Sequence, residues 1–257
     1  MGAAMMLAIL SAVGGSTVAG VVLGLFVKRI PHRLNDVILG FAAGIMLAAS
    51  SFGLIAPAFG CSGCGILLAV AGTFCGAGLA SILDKVVPHL HRIAGIGAEP
   101  HQSGGSREKT LLFVAAIALH KIPEGLASGA SFAAGDVGDA ITVAGSVALQ
   151  NIPEAIVMVT PLFAIGLTAV RVMCISFAVA LLSVVSVLTG CMLACVFANV
   201  MPFMLAAAGG AMLYVISDEM IPETHSHGYE KPATFALLSG FVLVVVIQRL
   251  LQCASAQ

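Results

Sequence analysis

Residues 119–124, LHKIPE, recur thirty positions later as LQNIPE at 149–154, and both copies lie inside runs apolar enough to cross a bilayer. Two carboxylates, Glu124 and Glu154, therefore fall within hydrocarbon depth. A charge there costs at least a few kcal/mol on insertion scales, which makes an intramembrane ionisable residue a functional-site hypothesis by default. Two such residues in the same motif strengthen it.

Working outward, the rest of the chain reads as membrane protein. Of 257 residues, 60% are hydrophobic and only 9% charged, with a mean hydropathy of +1.10; a soluble domain carries about 25% charged residues. A helix needs about 20 apolar residues to span a bilayer. Runs that meet this are read at about 4–27, 36–58, 64–87, 110–134, 140–165, 169–197, 200–222 and 233–252. They are continuous rather than alternating, which excludes a β-barrel. The first is too long for a signal-peptide core and has no basic residue before it. The expected fold is all-α, an integral membrane bundle of eight transmembrane helices forming a single domain, 1–257.

Orientation follows from basic residues in the loops. The odd-numbered loops hold nine of the eleven: Lys28, Arg29, Arg33, Lys85, Arg92, Arg107, Lys109, Arg171 and Lys231. Both termini are thus expected on the non-cytoplasmic side. His32, His89, His91, His101, His225 and His227 all fall on the cytoplasmic side, whereas only His120 lies within a span. The even-numbered loops are nearly uncharged apart from Asp136 and Asp139. A neutral to acidic outer face and a histidine-bearing inner face suit a cation moving inward. The expected setting is a cell membrane, inner or plasma.

The formal net charge is −1 and there is no Trp, so nothing points to nucleic acid. Cys61 and Cys64 share an outward loop, where a disulfide or a metal contact is open, while Cys75, Cys174, Cys191 and Cys195 read as small core residues. Residues 88–109 form the one long polar segment, a flexible histidine-containing linker on the cytoplasmic side. Small residues crowd 40–51, 127–135 and 206–212, which suits close helix packing. Three helices, a pair, then three helices also invites an inverted repeat.

The motif pair builds a site. His120 and Glu124, four residues apart, stack on one helix face, and Gln150 and Glu154 do the same on the next helix. If those faces meet, an imidazole, two carboxylates and an amide oxygen surround one small volume, a mixed N/O set fit for Zn²⁺, Fe²⁺ or Mn²⁺. Pro123 and Pro153 lack an N–H and free the carbonyls of Leu119 and Leu149, as in the interrupted helices that transporters place at midplane. Lys121 competes with this reading, since its ammonium could neutralise the carboxylates internally. With neutral imidazole, His120, Lys121, Glu124 and Glu154 sum to −1, so one positive charge is still owed.

In span seven, LYVISDEMIPETHSH at 213–227 carries Asp218, Glu219, Glu223, His225 and His227. With His89, His91 and His101 these make a candidate exit path to the cytoplasm. Met46, Ser50 and Ser51 are the candidate soft or polar lining from span two.

HKIPEG and QNIPEA in the fourth and fifth of eight spans, the histidine-bearing loop before them and GAMLYVISDEMIPE in span seven together resemble the ZIP (Zrt/Irt-like) family of divalent metal transporters. The resemblance implies an eight-helix bundle, often dimeric, that moves Zn²⁺ and related metals (Fe²⁺, Mn²⁺, Cd²⁺) into the cytoplasm as substrate and is not an enzyme. It implies His120, Glu124, Gln150 and Glu154 as ligands, with Met46 a weaker match, and Glu219 on the inner path. The family motif usually has Asn at Lys121, and some members hold a second metal there using that Asn and further carboxylates. Here Asn151 replaces one such carboxylate, and span six offers only Ser183 and Ser186. The expectation is one metal, with the Lys121 ammonium standing in for the second. Two other readings are a proton-coupled carrier of a small organic solute built on a Lys–Glu pair, and a membrane metalloenzyme. The latter lacks HExxH or an evident nucleophile.

Overall fold

The computed structural model describes residues 2–27, 30–60, 64–93 and 107–255. They form eight long helices: α1 (Ala3–Val27), α2 (His32–Phe59), α3 (Cys64–Ile93), α4 (Arg107–Ala134), α5 (Val137–Ala164), α6 (Ala169–Val196), α7 (Met201–Thr224) and α8 (Glu230–Ser255). No strand occurs among the described residues. Judged on the described residues, seven of them, α1–α3 and α5–α8, include a stretch long and apolar enough to cross a membrane. The helix α4 carries His120, Lys121 and Glu124. It is lodged among α1, α3, α5, α6 and α7, so its polar centre faces protein.

Local chemistry sets the boundaries. Gly135 at φ 93° ends α4, and the Asp136 side chain caps α5 by accepting the Asp139 N–H at 2.8 Å, which satisfies an otherwise orphaned donor. Gly166 (φ 81°) closes α5, and Gly228 (φ 82°) turns the chain into α8. The polar linker is shorter than its composition suggests, because α3 runs on to Ile93 and α4 starts at Arg107. Residues 94–106, with His101, lie outside the described residues, as does Cys61.

The helices pack as two groups, α1 with α4, α5 and α6, and α2 with α3, α7 and α8. The closest pairs are α3–α7, α4–α6, α2–α8 and α1–α5. Each is seated on glycines that bring backbones together: Gly76 meets Ala207, Gly129 meets Val187, Gly44 meets Leu237 and Gly20 meets Ile152. With lipid as solvent, close van der Waals contact of this kind drives association.

These pairings exchange when α1–α3 is laid on α6–α8 and α4 on α5. α2–α8 becomes α7–α3, and α1–α5 becomes α6–α4. The helices α2 and α7 carry matching irregularities, a π-helical stretch at Ala49–Ile55 and at Ile216–Met220, each followed by a proline, Pro57 and Pro222. The neighbour pattern is that of a repeat which the sequence hinted at only through helix counting.

Candidate functional site

The two IPE motifs meet where α4 crosses α5. Both helices continue through Pro123 and Pro153 without a break, so the expected helix interruption at midplane is not the architecture here. The π-helical stretches are instead in α2 and α7.

At the crossing lies a buried ionic cluster. Lys121, only 1% exposed, donates to Glu124 Oε2 at 2.9 Å, to Asn151 Oδ1 at 2.7 Å and to Glu154 Oε2. That uses the full donor capacity of an ammonium. Gln150 Nε2 donates to the other oxygen of Glu124 at 2.8 Å, and Gln150 Oε1 is buried without a partner. Asn151 is fixed from behind, since its amide Nδ2 donates to the Val13 carbonyl at 3.0 Å and to Ser16 Oγ at 3.2 Å on α1. Its Oδ1 is thereby aimed at Lys121. Buried charges persist only when paired and hydrogen-bonded, and this cluster meets that condition with one carboxylate charge in excess.

His120 takes a different partner from the one its spacing suggests. Its Nε2 sits 2.9 Å from Glu219 Oε1 on α7, rather than turning down its own helix to Glu124. Glu124, Gln150 and Glu154 are thus gathered together, while His120 and Met46 line the same cavity without joining the cluster. Among the described residues no three His, Cys, Asp or Glu side chains stand as a ready metal cage. Ser183 is engaged with the Val179 carbonyl, so α6 brings no carboxylate to the pocket.

A cavity of about 470 Å³ leads from the cluster. Met46 on α2, His120 and Glu124 on α4, Glu154 on α5, Asp218, Glu219, Pro222 and Glu223 on α7, and Ser226 just beyond it are among the residues that line it. Three of the acidic exit-path residues read from the sequence therefore share one passage. The histidines do not join them. His225 bonds the Ile221 carbonyl through Nδ1 and Thr234 Oγ1 through Nε2, which shapes the loop, and His227 pairs with Asp36 Oδ1 at 3.0 Å. His89 and His91 lie on the last turns of α3, with side chains outside the described residues, as is that of Cys64. The pairing of His227 with Asp36 was not foreseen from sequence, since the two residues are 191 positions apart.

Comparison with known proteins identifies the family. Residues 85–248 match the model of the ZIP Zinc transporter family. The chain is 36% identical to the zinc transporter GufA of Myxococcus xanthus over 96% of its own length and 98% of that protein. It is 36% identical to the zinc transporter ZIPB of Bordetella bronchiseptica over 90% and 76% respectively, and 27% identical to the zinc transporter ZupT of Streptococcus mutans over 93% and 94%. With the family model covering most of the chain and two relatives above a third identical, this multi-pass helical membrane protein belongs to the ZIP zinc transporter family, a family of transporters and not of enzymes.

Proposed function

We propose that the chain carries Zn²⁺ into the cytoplasm through a single-metal site between α4 and α5, with Glu124, Glu154 and Gln150 as ligands. His120 and Met46 complete the set from the cavity wall. The observation that carries this reading is the buried Lys121 cluster beside the 470 Å³ cavity. Two carboxylates held in a membrane protein's interior need a cation, and here a tethered one occupies the place that an entering metal would compete for. Fe²⁺, Mn²⁺ and Cd²⁺ are chemically acceptable to the same N/O set, because selectivity in such sites is geometric.

The proposed direction rests on the basic residues of the odd-numbered loops. They put the α7–α8 loop, whose Ser226 lines the cavity, in the cytoplasm. Asp218, Glu219 and Glu223 then form a descending series of carboxylates that draws the metal from the cluster outward to that loop.

The second reading, a proton-coupled carrier of a small organic solute, draws on the same cluster, since the Lys121 pairing is complete in itself. The discriminating experiment is uptake of radioactive ⁶⁵Zn²⁺ into proteoliposomes, comparing wild type with the Glu124→Ala, Glu154→Ala double variant. Saturable uptake that the double variant abolishes is the expected result. A folded wild type that moves neither Zn²⁺ nor Fe²⁺, Mn²⁺ or Cd²⁺ would overturn the metal reading in favour of the second.

A further inference from the structure

The seam where α2 of one helix group meets α5 of the other is not closed along its whole length. The two helices lie antiparallel, with Gly53 against Val143 towards one end and residues 37–41 beside residues 152–156 towards the other. There a groove of about 380 Å³ opens between them, walled by Val37, Ile38 and Phe41 of α2 and by Ile152, Pro153 and Ile156 of α5. Every residue lining it is apolar and half-buried, whereas Asn151 and Glu154, on the same turn of α5, are buried. The groove is thus on the outer side of α5 and the ionic cluster on the inner. Both segments belong to membrane spans, so hydrocarbon is what the groove meets.

A void between apolar helices forfeits the van der Waals contact that holds helices together in lipid, and water does not fill a site without polar partners. A lipid chain does. One residue selects the kind of lipid. Arg33 stands four residues before Val37 and eight before Phe41, on one stripe of α2 and about 6 Å along the axis from Val37. It is exposed and pairs with no carboxylate among the described residues. Asp36, close by in sequence, is buried and turned to His227. A cation at the end of an apolar groove matches a phosphate at the head of an acyl chain, and basic residues beside a span draw anionic headgroups. We propose that this groove holds one acyl chain of an anionic phospholipid whose phosphate pairs with Arg33.

An occupied groove braces α2 against α5. Movement of one helix group past the other must then squeeze or expel the chain, next to the turn that carries Asn151 and Glu154. This regulatory role rests on the transport reading; lipid binding does not.

The test uses the purified full-length protein in nanodiscs with a phosphatidylglycerol that carries a photoactivatable diazirine midway along one chain. After illumination the labelled peptides are mapped by mass spectrometry. Labelling is expected on residues 37–41 and 149–156, severalfold above that on Leu67 and Phe74 of α3, although those two are well exposed. Unlabelled phosphatidylglycerol should compete about fivefold better than phosphatidylcholine. Arg33→Gln, at an exposed position, should erase that preference, and Val37→Phe should fill the groove and cut labelling severalfold. Label spread evenly over the exposed helix faces and unchanged in Val37→Phe would overturn the proposal. An unlabelled groove would overturn it too, and a dimer in native mass spectrometry that Val37→Phe dissolves would then give the groove to a second copy. In proteoliposomes, replacing phosphatidylcholine by phosphatidylglycerol should lower the maximal ⁶⁵Zn²⁺ uptake rate severalfold in wild type but not in Arg33→Gln. Equal wild-type rates in the two lipids would overturn the bracing role. A groove that labels as expected in a protein that moves no metal would strike the transport reading alone.

Discussion

His120 on α4 is bonded to Glu219 on α7, Nε2 to Oε1 at 2.9 Å, and this bond bridges the two helix groups within the cavity. Glu219 thus holds a proposed ligand away from Glu124. A hydrogen bond to a charged group contributes about 1.5–3 kcal/mol. Glu219→Gln should release His120 to the cluster, tightening Zn²⁺ binding by up to about tenfold while lowering the maximal uptake rate severalfold. Kinetics of ⁶⁵Zn²⁺ uptake with parallel equilibrium binding check this. Weaker binding at unchanged maximal rate would instead make Glu219 a ligand.

Lys121 faces two carboxylates and an amide oxygen at once. Removing one member of a buried ion pair leaves an uncompensated charge and costs about 3–5 kcal/mol. Lys121→Ala should therefore lower thermal stability in metal-free buffer. Added Zn²⁺ should restore most of the loss, and the stabilisation by Zn²⁺ should be larger than in wild type. Metal stoichiometry at the central site should rise above one. If uptake, stoichiometry and the Zn²⁺-dependent stability gain all match wild type, the ammonium is not standing in for a metal.

Asn151 lies 2.7 Å from Lys121 Nζ and is anchored to α1 through its amide. Asn151→Asp keeps the shape but forfeits both donated bonds. Alone it should destabilise the protein by about 1–3 kcal/mol, because a carboxylate oxygen with no proton to offer would then face the Val13 carbonyl. Combined with Lys121→Asn it creates a third carboxylate with no ammonium nearby. That double variant should bind two Zn²⁺ in the cluster, measured by metal analysis after gel filtration. A single equivalent would show that the lysine is not what restricts the site to one metal.

What the sequence made legible divides along physical lines. Eight helices followed from apolar run length, and the Glu124–Glu154 meeting followed from a motif repeated on consecutive helices, since both signals are local. The partner of His120 was not readable, because spacing four places it equally well above Glu124 and says nothing of a carboxylate ninety-nine residues away. The π-helical stretches of α2 and α7 were likewise silent, having no residue signature beyond the prolines that follow them. The contact of His227 with Asp36 was not readable either, because it joins the head of α2 to the α7–α8 loop across 191 residues.

The glycine contacts give a prediction that separates packing from helix propensity. At Gly129 an added Cβ would collide with the backbone of α6 at Val187 and Cys191, whereas at Gly145, also within a helix, it would meet nothing within 4 Å. Glycine within a helix is less favourable than alanine by about 1 kcal/mol. Gly145→Ala should accordingly raise stability slightly. Gly129→Ala gains the same propensity, but must push α4 and α6 apart against backbone atoms that cannot rotate away, and overpacking of this kind costs about 1–3 kcal/mol. It should lower the melting temperature and, because Glu124 rides on α4 just over one turn earlier, weaken Zn²⁺ binding as well. Thermal unfolding of both variants in detergent, with and without Zn²⁺, checks the pair. Equal stabilities would mean that the α4–α6 contact is slack, and that the position of Glu124 is set by the Lys121 cluster alone.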